Sequence, residues 1–410
     1  MQGRPRVLVL SMYYPSEENS GYGTFVHEQT AALRDNGADV KVFQPLPRAP
    51  FPIRYLGQRY READRSPNHE TYQGIDVMHA RYLSLPRNWR HERAGDWMTE
   101  SVQEPIVDLH RRWPFEIINA HTTYPCGYCG NLIRDRRLPD VKVVHTIHRA
   151  SIIDTPRFSR ECSEKVRQSL EAADATVFVS REGLRVAQEL AGGRTRKPPV
   201  YITNGVNPEK FEIDEPAAEA TRLLREQYRD STNLLFVGNL CERKGTWELL
   251  EAFRELAASE SSPVRLFLVG PNLLGRALKR RLRALGVEDR VVLTGPVDHD
   301  EVKIWMGAAD VFVLPSHSEG VATVLFEALY AGLPCVFTRV GGTEDVVADE
   351  ETALLVPPGS VESLVEALRR LIRDNALRDK LSRNGNSLVR EDYTWDVNAR
   401  RNLDLFEDLL

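Results

Sequence analysis

The segment ADVFVLPSHSEGVATVLFEALYAGLPCVF, residues 309–337, decides the fold class of this chain, because it reads as a strand, a turn and a helix in immediate succession. The apolar run 311–314 is of strand type, residues 315–320 are rich in turn formers, and residues 324–331 carry apolar side chains at helical spacing. The first backbone N–H groups of a helix that follows a strand point above the carboxyl end of that strand, where they suit an anion. The junction therefore predicts a phosphate-binding edge of a parallel sheet.

Two carboxylates stand at this junction, separated by seven residues. Glu319 lies in the predicted turn, and Glu327 lies about two turns further along the chain on the helix. This spacing allows the two side chains to reach two different parts of one ligand. Taken alone, the pair is also compatible with a capping carboxylate followed by a solvated one on the helix surface.

The chain resembles the retaining glycosyltransferases of family 4, which have the GT-B fold. Glu319 and Glu327 match the E-x7-E pattern of that family, and five further stretches fit it in the same order. These stretches are residues 23–33 (GTFVHEQTAAL), 170–180 (LEAADATVFVS), 200–211 (VYITNGVNPEKF), 234–253 (LLFVGNLCERKGTWELLEAF) and 393–395 (YTW). The resemblance covers nearly the whole chain and implies an α/β protein with two Rossmann-like domains, whose parallel sheets face an interdomain cleft.

Length and pattern also predict two α/β domains without the resemblance. At 410 residues the chain exceeds what one hydrophobic core usually fills, and short β-type runs alternate with helical ones, as in parallel sheets with right-handed crossovers. We predict strands at residues 7–10, 39–43, 117–120, 143–147, 176–180, 200–203, 234–237, 265–269, 291–294, 311–314, 335–338 and 353–356. The Asn204-Gly205 turn separates a domain of residues 1–203 from one of residues 204–392. The resemblance makes the first the acceptor domain, completed by a C-terminal helix at 393–410, and the second the nucleotide-sugar donor domain.

The net charge of −5 is unevenly distributed, with +5 in residues 1–203 and −10 in the remainder. The arginine-rich stretch 48–93 also carries several aromatic residues. Two interpretations stay open: contact with anionic headgroups or a lipid-linked phosphate, and a solvated irregular insertion. The chain lacks the concentrated basic stripe of a nucleic-acid binder.

Composition predicts a cytoplasmic protein, placed at the inner face of the membrane if the N-terminal domain contacts lipid. No apolar run approaches the roughly 18 residues of a spanning helix, and an odd number of cysteines, five, favours a reducing compartment. Cys126 and Cys129 form a C-x-x-C near His121, but a second pair for zinc is absent from the sequence. Asp298 and Asp300 form the D-x-D pattern of metal-dependent glycosyltransferases of another fold, which we interpret as a turn. We therefore predict no metal and no cofactor.

The resemblance assigns most of the donor site. Arg243 and Lys244, beside a helix N-terminus, would neutralise the diphosphate of a nucleotide sugar. Glu319 would hold the hydroxyls of the donor sugar, Glu327 the ribose, and the backbone near Val297 the base. The remaining predicted donor contacts are Gly23, Asn239, Gly320, Val321, Ala322, Thr323 and Val324.

Two departures from the family pattern accompany these assignments. Asn239 stands where the family commonly has an arginine, so Arg243 is expected to carry that charge. His121, at the end of the strand at 117–120, corresponds to a histidine that contacts the donor sugar on the leaving-group side. His148 also matches a family position, but Arg149 and the residues after it replace the usual Gly-Ser-Asp sequence, so the acceptor contacts of that segment are not carried over.

Together these assignments predict a retaining hexosyltransferase that moves a hexose from a nucleotide diphosphate sugar, with UDP favoured over GDP, to an acceptor hydroxyl. The resemblance implies that the departing diphosphate helps to deprotonate the acceptor and that no covalent sugar intermediate forms. Residues 25–29 and 80–86 look most like enzymes that assemble cell-surface polysaccharides or glycolipids, whose acceptors are glycans or lipid-linked sugars. Two alternatives stay open: a sugar-nucleotide 2-epimerase of the same fold, and an inactive nucleotide-sugar binding subunit.

Overall fold

The computed structural model describes residues 4–17, 19, 21–55 and 57–410. It divides into two compact units, the first formed by Met1–Asn204 with Trp395–Leu410 and the second by Gly205–Thr394. The second unit is thus one continuous stretch of chain, flanked on both sides by segments of the first. None of the described helices is long and apolar enough to cross a bilayer.

An eight-stranded sheet forms the centre of the first unit. Its strands are β1 (Arg6–Ser11), β2 (Asp39–Arg48), β3 (His69–Tyr72), β4 (Ile75–Leu83), β5 (Ile117–His121), β6 (Lys142–Ile147), β7 (Ala175–Phe178) and β8 (Val200–Tyr201). They lie in the order β3-β4-β2-β1-β5-β6-β7-β8, and every pair is parallel except the hairpin β3–β4 at one edge. Its helices of at least two turns are α1 (Thr24–Asp35), α2 (Gln58–Arg65), α3 (Ala94–Arg112), α4 (Tyr128–Arg137), α5 (Arg160–Ala172) and α6 (Arg181–Ala191).

The β3–β4 hairpin is absent from the strands predicted by the sequence pattern and lies within the arginine-rich stretch of residues 48–93. Gln73 and Gly74 form its turn with φ values of 46° and 78°. Strand β4 then alternates, with Ile75 and Val77 buried against the core. The many charges of this stretch obscure that alternation in the sequence.

A six-stranded parallel sheet forms the centre of the second unit. Its strands are β9 (Thr232–Val237), β10 (Val264–Val269), β11 (Val291–Gly295), β12 (Val311–Leu314), β13 (Cys335–Thr338) and β14 (Leu354–Val356). They lie in the order β11-β10-β9-β12-β13-β14. The helices are α7 (Pro208–Phe211), α8 (Glu215–Gln227), α9 (Thr246–Ser259), α10 (Arg276–Leu285), α11 (Val302–Ala308), α12 (Thr323–Tyr330), α13 (Thr343–Val346), α14 (Val361–Arg373) and α15 (Asn375–Asp392).

The central strands of the second sheet are buried and mostly apolar. Four residues of β12 and five of β9 are buried, which explains why the sequence shows continuous apolar runs at these strands. The predicted α/β class with two parallel-sheet domains is confirmed. All twelve predicted strands have counterparts, although β2 continues five residues further, to Arg48, and β8 ends two residues earlier, at Tyr201.

The last helix, α16 (Trp395–Glu407), belongs to the first unit, where it packs on α1. Buried polar contacts fix it there. Gln29 Nε2 donates to Asn398 Oδ1 at 2.9 Å, and Asn398 Nδ2 donates to the carbonyl oxygen of Thr203 at 2.7 Å. Phe406 is fully buried in the same core as residues of α1.

Candidate active site

The loops after β9 and β12 meet because these two strands are neighbours. Val311 pairs with Leu234 and Phe312 with Leu235, so the carboxyl ends of the strands lie side by side. The strand after β9 in sequence, β10, lies on its other side, and the strand order therefore reverses between β9 and β12. Open parallel sheets bind ligands at such a switch point.

At this point a carboxylate from one loop meets two cations from the other. Lys244 Nζ lies 2.6 Å from Glu319 Oε1, and Arg243 Nη1 lies 3.3 Å from Glu319 Oε2. The side chains of Lys244 and Glu319 are 12% and 9% exposed, whereas that of Arg243 is 53% exposed. Backbone contacts reinforce the junction, since His317 N donates to the carbonyl oxygen of Arg243 at 2.8 Å. The structure thus brings three predicted site residues into direct contact.

Two glycines allow the loops to pack this closely. Gly245 has φ 68°, and a Cβ there would lie 1.9 Å from the carbonyl oxygen of Pro315. Gly341 has φ 50°, and a Cβ there would lie 1.9 Å from the carbonyl oxygen of Glu319. Both positions exclude a side chain by backbone conformation and by lack of space. They hold the Glu319 loop against the cations and against the segment that follows β13.

The Glu319 loop leads directly into α12. Ala322 is the residue before the helix, with φ −74° and ψ 125°, and no side chain caps the helix. The first N–H groups of α12 therefore lack acceptors within the helix. Gly342 N donates to the carbonyl oxygen of Gly320 at 2.6 Å, which fixes the loop. The predicted contacts Gly320, Val321, Ala322, Thr323 and Val324 all lie at this helix start.

Glu327 lies one turn into α12 and is buried. His299 Nε2 lies 3.5 Å from Glu327 Oε1, and the His299 side chain is 40% exposed. His299 is the middle residue of the D-x-D pattern, so the sequence draws attention to its two acidic neighbours instead. Among the residues that the structure describes, no group of three or more His, Cys, Asp or Glu could hold a metal ion.

The other predicted donor contacts of the second unit lie beyond strand ends without joining this cluster. Asn239 follows β9 and is exposed, and Val297 follows β11 and is half-buried against the core. No hydrogen bond or ion pair of the described residues connects either side chain to Glu319. Gly23 and His121 belong to the first unit.

His121 lies at the switch point of the first sheet. It ends β5, between Ser11 of β1 and Thr146 of β6. Its Nδ1 lies 3.3 Å from His148 Nε2, and the two rings stack with centroids 5.5 Å apart. The Phe25 ring meets His148 edge-on at 4.6 Å. The sequence predicts each histidine separately at a strand end but not their contact.

Burial keeps both imidazoles neutral at pH 7. It lowers the pKa of His148 from its ordinary value of 6.5 to about 4. For His121, burial and then the neighbouring His148 place the pKa well below the ordinary range. Thr122, which follows His121, has φ 100°. Residues other than glycine rarely adopt this backbone conformation, and such strain is often found at functional sites.

The lowered pKa of His148 predicts that the folded protein becomes less stable as the pH falls. A lowered folded pKa means that the unfolded chain binds the proton more tightly, so stability is full above pH 6.5 and falls as the pH drops towards 4. Between pH 7 and 4.5 this one group should remove on the order of 2 kcal/mol from the free energy of unfolding. Urea titrations should therefore show a smaller loss for His148→Gln than for the wild type, with His69→Gln as the surface control. An equal loss in His148→Gln and the wild type would contradict this.

The structure bears on two other positions in the first unit. Gly23 has φ 77°, and a Cβ there would lie 2.5 Å from the backbone carbon of Tyr13. The fold therefore requires a glycine at this position independently of the predicted donor contact. Cys126 and Cys129 are fully buried, and burial raises the pKa of both thiols to about 12, which disfavours the thiolate needed for redox chemistry.

Two family models match separate parts of the chain. Residues 225–388 match the glycosyl transferases group 1, and residues 19–210 match glycosyltransferase family 4. The chain belongs to the group 1 glycosyltransferases. The predicted family is confirmed, and each model falls largely within one of the two structural units.

Relatives of this glycosyltransferase span its whole length. A putative teichuronic acid biosynthesis glycosyltransferase, TuaC, of Bacillus subtilis (strain 168) is 27% identical and covers 96% of each chain. A D-inositol 3-phosphate glycosyltransferase of Xylanimonas cellulosilytica is 28% identical over 98% of this chain and 96% of its own. The predicted class of enzyme, a hexosyltransferase, agrees with these relatives.

Solved structures support the GT-B fold. Sucrose-phosphate synthase from Thermosynechococcus elongatus superposes with a TM-score of 0.77 at 22% identity, covering 99% of both chains. Anabaena HepE in complex with UDP superposes with a TM-score of 0.74 at 16% identity, covering 98% of this chain and all of the other. The roles of individual site residues stay predictions.

Proposed function

We propose that this glycosyltransferase moves a hexosyl group from a nucleotide diphosphate sugar, with UDP favoured, to an acceptor hydroxyl with retention of anomeric configuration. The ion pair between Lys244 and Glu319 at the switch point of the second sheet is the observation that carries the proposal. A mostly covered lysine beside a helix start attracts a diphosphate, and a buried carboxylate accepts hydrogen bonds from sugar hydroxyls. Both groups stand within contact distance of each other.

The pair suggests an exchange of partners on donor binding. A diphosphate oxygen takes the place of Glu319 at Lys244, so the lysine then pairs with the anionic ligand. Glu319 is then free to accept hydrogen bonds from the sugar. Charge develops on the diphosphate as the glycosidic bond breaks, and Lys244 and the more exposed Arg243 stabilise that charge from fixed positions. The departing diphosphate, on the same face of the sugar, assists removal of the acceptor proton.

The other site residues keep their predicted roles within this proposal. Glu327, buried on α12, binds the ribose hydroxyls, and the backbone near Val297 contacts the base. The half-exposed His299, 3.5 Å from Glu327, adds a second polar group at the ribose position. Neutral His121 contacts a hydroxyl of the donor sugar. Because its pKa lies well below the ordinary range, it acts as a hydrogen-bonding group without positive charge.

Relatives support the choice of donor and acceptor. Structures of similar fold hold UDP-glucose, in Anabaena HepE, and UDP-2-fluoro glucose, in an enzyme from E. coli. The relative from Bacillus subtilis is named a putative teichuronic acid biosynthesis glycosyltransferase. We therefore propose a UDP-hexose as donor and a glycan or lipid-linked sugar of the cell surface as acceptor.

A panel of nucleotides and nucleotide sugars in a thermal-shift assay tests the donor, since a ligand that binds the native state raises the melting temperature. UDP and one UDP-hexose should stabilise the protein more than GDP and its sugars. Product anomers formed from that donor then test retention by NMR. Formation of an epimer from UDP-N-acetylglucosamine alone would favour the 2-epimerase alternative. Donor binding without any hydrolysis or transfer would favour the inactive binding subunit.

Glu319 and Glu327 should differ in what they contribute. Glu327→Ala should weaken UDP binding by about 10- to 100-fold, because it removes a charged hydrogen-bond acceptor from the ribose. Glu319→Gln should instead lower turnover with little loss of UDP affinity, because Lys244 is then unpaired and open to phosphate. Calorimetry with UDP and initial rates separate the two effects. An equal loss of UDP affinity in both variants would rule out this division of roles.

Transfer should proceed in the presence of EDTA. Phosphate charge is assigned to Arg243 and Lys244, so removal of divalent cations should change the rate by less than about twofold. Rates with EDTA and with added manganese measure this directly. Loss of activity in EDTA that manganese restores would assign a metal role to Asp298 and Asp300.

A further inference from the structure

One edge of the first unit exposes large aromatic side chains. Among the described residues, the exposed aromatic side chains all belong to this unit. The three most exposed are Phe51 at 76%, Trp89 at 65% and Tyr55 at 52%. Aromatic surface of this size in water is unfavourable unless a partner covers it.

These side chains come from two segments that leave the sheet together. Arg48 at the end of β2 pairs with Leu83 at the end of β4, and Ser84 N donates to the carbonyl oxygen of Arg48 at 2.9 Å. Phe51 follows Arg48 by three residues, and its ring meets that of Tyr55 with centroids 6.1 Å apart. Trp89 follows Leu83 by six residues. The two segments that carry these aromatics therefore leave the carboxyl ends of neighbouring strands side by side.

Positive charge surrounds them. Residues 48–93 contain nine arginines and five carboxylates, a net charge of +4. Arg48 and Arg87 are exposed, and neither forms an ion pair with the carboxylates that the structure describes. Among the carboxylates that the structure describes, Arg90 pairs with Glu92 alone, at 3.9 Å. These arginines remain available to an external anion.

The backbone of the Trp89 loop is strained and outward-facing. Arg87, Asn88 and Arg90 have φ values of 54°, 55° and 57°, in the left-handed region. Residues 86–90 are all exposed. Residues other than glycine rarely adopt this backbone conformation. Its occurrence three times in one loop indicates a functional constraint.

A buried tyrosine fixes the base of this loop. The Tyr124 hydroxyl lies 2.9 Å from the carbonyl oxygen of His91 and 2.7 Å from that of Glu92, and it accepts from Gly95 N at 2.9 Å. Tyr124 itself is almost completely buried. The hydrogen bonds of Tyr124 thus fix the base of the exposed loop at residues 86–90.

We propose that the surface formed by Arg48, Phe51, Tyr55, Arg87, Trp89 and Arg90 binds an anionic lipid bilayer. Aromatic rings with a polar edge favour the headgroup level of a membrane, and guanidinium groups pair with lipid phosphates. The excess of one sign of charge favours this occupant over a second copy of the chain, which would bring like charges together. No described helix could span the bilayer, so the contact is peripheral. Vesicle binding can be measured without any sugar transfer.

Co-sedimentation of the full chain with vesicles tests the proposal. Vesicles of phosphatidylcholine with phosphatidylglycerol should bind at least about fivefold more protein than phosphatidylcholine alone, and added salt should weaken the binding. Brominated lipids should quench tryptophan fluorescence in the wild type, and this quenching should largely disappear in Trp89→Phe. Equal binding to both kinds of vesicle, or no binding, would overturn the proposal.

Variants separate the two components of the surface. Phe51→Ala with Trp89→Ala should lower vesicle binding about tenfold while keeping its salt dependence, because only apolar burial is lost. Arg87→Glu with Arg90→Glu should abolish the preference for anionic vesicles. Thermal melts of each variant verify folding. Unchanged binding in either folded double variant would count against the proposal.

Helix α10 of the second unit provides a matched control, because it is also basic. Lys279 and Arg280 are exposed there, and Leu223 on α8 is an exposed apolar residue of the same unit. Lys279→Glu with Arg280→Glu, and Leu223→Ala, should leave vesicle binding unchanged. Loss of binding in the α10 variant would place the membrane contact on the second unit and overturn the assignment.

Discussion

Lys244→Ala should bind UDP about 100-fold more weakly than the wild type while its affinity for uridine changes by less than about twofold, because only UDP carries the phosphates. The Lys244 side chain is 12% exposed and lies two residues before the start of the 14-residue helix α9, so its charge acts through a partly dehydrated medium. Turnover should fall further than affinity, since the charge on the leaving diphosphate grows in the transition state. Calorimetry with both ligands and initial rates measure the effect.

Arg243→Ala is the matched control. It removes a cation from the same carboxylate, but at 53% exposure the loss should weaken UDP binding by only about fivefold. Lys244→Met retains most of the aliphatic stem and separates charge from packing. Uridine and UDP weakened by the same factor would show that Lys244 does not meet the phosphates, and so would retention of most of the turnover.

Gly245→Ala should destabilise the second unit by about 4 kcal/mol or more and abolish transfer. The added Cβ would lie 1.9 Å from the carbonyl oxygen of Pro315, and φ at this position is 68°. The only relief is separation of the loops after β9 and β12, which takes Lys244 away from Glu319. Urea unfolding and the transfer rate should both register the change.

Gly286→Ala is the control that separates the cost of a left-handed backbone from the cost of a steric clash. Gly286 has φ 67°, nearly the same as Gly245, but a Cβ there meets nothing within 4 Å. This variant should therefore show only the left-handed cost of about 1 to 2 kcal/mol, with normal activity. Equal destabilisation of the two variants would mean that the contact with Pro315 is unimportant.

The sequence predicts elements of this fold well where residues are buried on both sides. The runs at β12 and β13 are predicted to the residue, because covered parallel strands are apolar throughout. The β3–β4 hairpin is missed, since its turn is Gln73-Gly74 instead of a more diagnostic Asn-Gly, and buried His79 interrupts the apolar alternation of β4. Short-range sequence patterns thus predict the strands and helices whose formation depends on residues close together in the sequence.

Contacts between distant segments are less accessible from the sequence. Lys244 and Glu319 are each predicted as a ligand contact, but their ion pair depends on the neighbouring position of β9 and β12. The stacked His121 and His148 likewise come from neighbouring strands 27 residues apart. His299 near Glu327 carries no signal that would separate it from an ordinary turn residue.

The return of α16 to the first unit makes the remainder of the chain exchangeable. Residues 205–394 leave and re-enter the first unit at Asn204 and Trp395, so one uninterrupted block of coding sequence specifies the complete second unit. A relative's corresponding block can replace it through only two junctions, and the buried contacts of Asn398 with Gln29 and Thr203 stay within the recipient. Truncation before α16, by contrast, strips the core around Phe406. On the proposed division of roles, in which the second unit binds the nucleotide sugar and the first binds the acceptor, exchanging this block between relatives should transfer nucleotide-sugar preference without acceptor preference.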